Sequence, residues 1–252
     1  MAWVYYDIHE NVREVVREKD RIRCCIMSTG ATCKSYDGAD IGWWSRFAET
    51  VTDAWYDADS NIPPIITTQL APLETEQDYE RLNDAGFVAF GHDIEVRSDW
   101  QWPVTIPGKH KFIGREKWLK RMQIDTEVFG PVAINSEFVV GVIMATKPYG
   151  LEPDADVDKA VAETMEGFEW CWENGISYAP SIWSICSGSK PYKIGASQAP
   201  LEFYLKVALQ YHKLFRKHMD NPESGVGVIL ARCYEDEVIG MDKNIADSYT
   251  PR

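Results

Sequence analysis

The chain lacks most of the short patterns that mark a bound metal or a phosphate. Its six cysteines, Cys24, Cys25, Cys33, Cys171, Cys186 and Cys233, contain no CxxC pair. The CC-x7-C spacing of the first three matches neither a zinc site nor a familiar iron–sulfur loop, so they read as core thiols. The five histidines form no HxH or HxxxH pair, which leaves no metal site to read, and there is no GxGxxG phosphate loop. No basic start is followed by an apolar run, as a secretory signal requires, and no apolar stretch is long enough to span a bilayer. With few, unpaired cysteines, the expectation is a reduced, cytoplasmic protein with no membrane partner. Positive charge is also scarce: 26 Lys and Arg against 39 Asp and Glu give a net charge of −13. That field repels phosphate backbones and argues against nucleic acid as a partner, though not against a small anion in a local basic pocket.

What is present is a core. The 252 residues are 45% hydrophobic, enough for one large domain. Short β-rich runs occur at Arg23–Ser28, Ile62–Gln69, Phe87–Val96, Val132–Val142, Ser177–Ile185 and Val226–Arg232. Helical spacing fills the intervals at Asp40–Asp57, Thr75–Ala85, Arg115–Phe129, Asp156–Asn174 and Ala199–Met219. In Asp40–Asp57, for instance, Ile41, Trp44, Ala48, Val51 and Trp55 make one apolar stripe. Three helices stop at a glycine (Gly86, Gly130, Gly175) and a strand follows at once. Strict alternation of strand and helix predicts βαβ units and a parallel sheet, here a partial TIM-type (β/α) barrel. An N-terminal helix, Asp7–Lys19, precedes the first strand. The expected organisation is a helix over 1–21, the partial barrel over 22–220 and an extension over 221–252. The first strand, Arg23–Ser28, is expected at a sheet edge. A partner subunit, a second copy or the late strand Val226–Arg232 would cover it.

Chemistry concentrates where strands end. In Phe90-Gly91-His92-Asp93-Ile94-Glu95, Asp93 and Glu95 stand two apart, so on a strand they share a face. Two adjacent carboxylates can accept hydrogen bonds from a vicinal diol such as a ribose; the competing reading is a salt bridge to Arg97 or another basic neighbour. Along the next strand, Asn135, Glu137, Val139 and Gly141 share a face. A glycine there lets a flat ligand approach the backbone, or simply permits close packing. Thr29 and Gly30 end the first strand with small residues that leave backbone groups open. The connection Arg97–Gly114 carries Lys109 and His110, which are either solvated or placed over the pocket mouth for carboxylate binding or proton transfer.

The order of these segments resembles the radical SAM superfamily, in its biotin synthase-like group, over about residues 22–217. A small-residue turn at Ser28–Ala31, a strand running into proline at Ile65–Pro72, the helix end Tyr79–Phe87, the paired acceptors of Phe90–Glu95, and Glu127–Gly130 before Phe138–Gly141 occur in the family's order. The resemblance implies a barrel that binds S-adenosylmethionine. Asp93 and Glu95 would hold the ribose, Val139 and Gly141 would lie beside adenine, and Thr29 and Gly30 would approach the methionine amino group. The acidic residue of the family's GGE motif is missing, as are the family's first strand and CxxxCxxC loop. A [4Fe–4S] cluster would therefore have to come from another segment or chain. Three readings stay open: an enzyme acting with such an element on a small molecule, a binding barrel for S-adenosylmethionine or another nucleoside, and a TIM-barrel lyase or aldolase using Lys109, His110 or a carboxylate.

Overall fold

The structure is a computed structural model that describes residues 2–18, 24–28, 41–58, 64–131, 133–151 and 156–219. Helix and strand alternate as α1 (Ala2–Glu18), β1 (Cys24–Ser28), α2 (Ile41–Asp57), β2 (Ile65–Gln69), α3 (Glu76–Asp84) and β3 (Phe87–Gly91). Two short helices, α4 (Trp102–Thr105) and α5 (Pro107–Phe112), then lead into α6 (Arg115–Phe129) and β4 (Ile134–Val140). A 3₁₀ turn (Val142–Met144), α7 (Val157–Glu173), β5 (Ser177–Ile182), α8 (Lys190–Lys193) and α9 (Leu201–Met219) complete the described chain.

Every ladder is parallel, and the sheet order β1-β2-β3-β4-β5 follows the sequence. The fold class is α/β. Parallel neighbours in chain order need a crossover at each step, and right-handed crossovers without reversal put the helices on one side. Burial agrees. On β4, Ile134, Ser136, Phe138 and Val140 are buried, whereas Asn135, Glu137 and Val139 are half-buried. On β2, Ile66 and Thr68 are buried while Ile65, Thr67 and Gln69 are not. One face therefore meets the helical layer in a single core that includes Trp44, Val51, Phe87, Trp118 and Phe168. The other face is open and mostly polar.

Local signals explain where the helices start and stop. Thr75 caps α3 by accepting from Asp78 N at 3.2 Å, and Asp156 caps α7 by accepting from Asp158 N at 2.9 Å. Gly130 ends α6 at φ +84°, a left-handed conformation that favours glycine. α1 joins the same layer: its Ile8 and Val12 pack on the core, and Arg17 Nη2 donates to Asp57 O at the end of α2.

The structure departs from expectation in several places: α1 begins at Ala2 instead of Asp7, β2 at Ile65 instead of Ile62, and β5 ends at Ile182 instead of Ile185. The strand expected over Phe87–Val96 ends at Gly91. The connection Arg97–Gly114 is largely helical, and Trp102 is fully buried in it. β4 stops at Val140, before Gly141. The expected strand Val226–Arg232 and the extension 221–252 lie outside the described residues, as do Thr29 and Gly30. Among the described residues, β1 and β5 are the two edges of the sheet, and no helix is long and apolar enough to cross a membrane.

Candidate functional site at the strand ends

The segment after β3 is a bulge, and the bulge builds the site. Gly91 pairs with Asn135, but the next bridge joins Glu95 to Phe138. Four steps on one side match three on the other, so one residue is extra and the ladder is interrupted. Side chains fill the gap. Ser136 Oγ accepts from Ile94 N at 3.0 Å, and Asp93 Oδ1 accepts from Glu137 N at 3.1 Å. Glu95 re-enters the ladder, donating its N–H to Glu137 O at 3.0 Å and accepting from Val139 N at 2.7 Å. It does so at φ +63°, which is uncommon for a residue with a side chain and costs roughly 1–3 kcal/mol. A regular strand does not place Asp93 and Glu95 together, but the result is similar: His92, Ile94 and Val96 are buried, and the two acids lie half-buried between them.

Lys109 is the cation of this cluster. It is not a solvated lysine at the mouth; only 6% of it is exposed. Its Nζ donates to Asp93 O at 2.6 Å and to Glu95 Oε1 at 2.8 Å, and lies 4.9 Å from the centre of the Trp118 ring. The competing salt bridge, to Arg97 or another basic neighbour, is therefore present at Glu95 and is made by Lys109; the Arg97 guanidinium sits over Trp170 instead. His110 is exposed. Burial pushes the Asp93 carboxyl above its ordinary range. The Lys109 ammonium and the Glu137 N–H oppose that rise, and the Glu95 and Glu137 carboxylates add to it.

Glu137 extends the polar floor across β4. Ser181 Oγ donates to its Oε2 at 3.2 Å, and Gln69 Nε2 lies 3.5 Å from its Oε1. Asn135 donates to Ser177 Oγ at 3.3 Å. Val139 is half-buried on the same open face. A crevice of about 20 Å³, room for one water, brings Glu95, Val139 and Gly141 together beside Gln101 and Glu163. Gly141 itself is not an open approach to the backbone. It stands at φ +111°, and the Tyr204 ring and hydroxyl occupy the place a Cβ would take. A roomier cleft of about 530 Å³ lies between α2 and α3, on the helical side, and is lined by none of the residues singled out from sequence.

Behind the bulge lies a network that sequence reading missed. His92 and Asp125 are both wholly buried, with Nε2 2.6 Å from Oδ2. Nδ1 is 2.7 Å from Leu70 O, a carbonyl that can only accept, so Nδ1 carries a proton. One further proton then occupies the Nε2–Oδ2 contact, and the pair is neutral overall. Burial raises the Asp125 carboxyl, and its bond to His92 opposes this. The Tyr79 hydroxyl accepts from Leu73 N at 2.8 Å and lies 3.5 Å from Nε2; burial and the charge of Asp125 push the phenol well above its ordinary value. One signal was available: Asp125 falls on the apolar stripe of α6 with Trp118, Met122 and Phe129. An acid at such a position implies a buried partner.

Four residues singled out from sequence, Asp93, Glu95, Val139 and Gly141, thus meet at one end of the sheet. Among the described residues, no group of three or more His, Cys, Asp or Glu side chains could hold a metal ion. Cys171 is buried, with its thiol pushed up by that burial, and Cys186 is exposed. No protein-family model matches the chain, and no curated protein matches it.

Proposed function

We propose that the open face at the carboxyl ends of β2–β5 binds S-adenosylmethionine or a related nucleoside, in a partial (β/α) barrel of the radical SAM type. One observation carries this reading. Asp93 and Glu95 project from one bulged segment, and each keeps a carboxylate oxygen, Oδ2 and Oε2, that accepts no hydrogen bond from a described residue. Two such acceptors suit the two hydroxyls of a ribose. The position also fits, since parallel α/β sheets bind ligands at the carboxyl ends of their strands. The described residues do not fit an iron–sulfur cluster, because they offer no set of converging thiolates, and no reductive step is assigned to them. A Schiff-base role for Lys109 is disfavoured, because an ammonium held by a carboxylate and a carbonyl is a poor nucleophile.

Calorimetric titration with S-adenosylmethionine, adenosine and 2′,3′-dideoxyadenosine tests the reading. The diol ligands should bind, and loss of both hydroxyls should weaken binding roughly tenfold or more, as loss of hydrogen bonds to charged groups does. Asp93→Ala with Glu95→Ala should remove that preference. A protein that binds none of the three, or binds all alike, would refute the proposal.

A further inference from the structure

We infer that Lys109 is the positioning residue of the nucleoside site: by binding the Asp93 carbonyl and the Glu95 carboxylate it fixes the Asp93–Glu95 bulge so that both acids present an open oxygen to the ligand. The inference rests on the nucleoside reading above and adds to it a residue on a different element.

Three observations lead there. First, Lys109 is 6% exposed, and a buried ammonium is costly unless its protons are matched. Two of its three are, by Asp93 O and Glu95 Oε1, and the Trp118 ring lies beside it. Second, these two bonds span the bulge. One end holds the backbone of Asp93 and the other the side chain of Glu95, the residue at φ +63°. A conformation of that kind persists only when its surroundings hold it. Third, the connection between β3 and α6 turns through α4 and α5 and returns Lys109 to the residues from which it departed. Trp102 Nε1, donating to Val96 O at 2.8 Å, anchors that return. A lysine used only for solubility needs no such path.

The charge consequence has a definite sign. The charged groups that act on Asp93 are Lys109 from α5, Glu95 from its own segment and Glu137 from β4. Lys109 is the strongest influence keeping the carboxyl ionised, and it outweighs either carboxylate. Removing it raises the pH at which Asp93 loses its proton. A protonated carboxyl is a poorer acceptor for a ribose hydroxyl, so the acidic limb of ligand binding should move to higher pH.

Calorimetry with S-adenosylmethionine as the probe, from neutral pH downward, reads this on the full chain. Lys109→Met is expected to weaken binding roughly tenfold to a hundredfold at neutral pH and to shift the acidic limb upward. Lys109→Arg keeps a cation and should hold the limb near its wild-type position. A purely structural lysine would not move the limb. If Lys109→Met fails to fold because Glu95 is stranded, Lys109→Met with Glu95→Gln removes both charges. The limb should still move upward, because Lys109 acts on Asp93 more strongly than Glu95 does. Wild-type binding with an unshifted, equally tight Lys109→Met variant, or an unshifted limb in the double variant, overturns the inference and leaves the nucleoside reading standing. Absence of binding by the wild type overturns both.

Discussion

Replacing Asp125 separates two ways of losing a buried carboxylate. Its carboxylate Oδ2 lies 2.6 Å from His92 Nε2, in surroundings where both side chains are fully buried. Asp125→Ala leaves that nitrogen with nothing nearer than the Tyr79 hydroxyl at 3.5 Å and opens a void. Removing one partner of a buried pair costs about 3–5 kcal/mol. Asp125→Asn differs in kind. The imidazole keeps its Nδ1 proton on Leu70 O, so a neutral ring presents Nε2 as an acceptor, and the asparagine amide can donate to it. One hydrogen bond replaces another, and the cost should be about 1 kcal/mol. For a chain of this size each kcal/mol moves the melting temperature by about 2–4 °C. The alanine variant should melt about 6–20 °C below wild type and the asparagine variant about 2–4 °C below. Thermal melts followed by circular dichroism give both numbers, and urea titrations with unchanged slopes confirm that the same transition is compared. Equal losses for the two variants, or an alanine cost below about 1 kcal/mol, would refute the shared-proton account.

Two further predictions concern the site's edges. The folded-state pKa of Asp93 is raised, so the folded protein holds that proton more tightly than the unfolded chain. Its contribution to stability is therefore fully present below the unfolded carboxyl pKa and is lost as pH rises through the folded value. Asp93→Asn keeps an acceptor for Glu137 N but cannot titrate, so its stability should fall less than wild type's across that window in urea melts at stepped pH; parallel curves would contradict this. Gly141→Ala should cost about 1–3 kcal/mol from its backbone angle alone, with a clash against Tyr204 added. In a Tyr204→Ala background the clash disappears and the cost should shrink, and an undiminished cost by urea midpoint would rule out the contact.

The elements of the layer were legible because apolar spacing and caps agree with one another. α6 was expected over Arg115–Phe129 and occupies those residues. α3 and α7 differ from expectation only by their capping residues, Thr75 and Ala85, Asp156 and Asn174, which belong half inside a helix. The strand ends were less legible. Nothing in Phe87–Val96 signals that the ladder breaks at His92, because the break is filled by Ser136, more than forty residues away in sequence. Propensity describes local preference, and a bulge is settled by what the neighbouring strand offers. Lys109 was misjudged for the same reason: a lysine between glycine and histidine reads as solvated until the fold brings Glu95 beside it.

The arrangement of the sheet accounts for where the charge collects. On β2 and β4 the buried residues face one helical layer, so the alternate residues face the other way. Gln69, Asn135, Glu137 and Ser181 come from three strands, yet all lie on that open face. The bulge adds Asp93 and Glu95 at the carboxyl end of the sheet, where Glu95 bridges to Phe138, and α5 supplies one ammonium. Counting formal charges, three carboxylates meet one lysine, and burial first, then the Glu95 and Glu137 carboxylates, push the Asp93 carboxyl upward. Such a face is poorly suited to a phosphate. It is suited to a ligand that brings hydroxyl or amino hydrogens to carboxylate oxygens, and a nucleoside with a free ribose diol is a ligand of that kind.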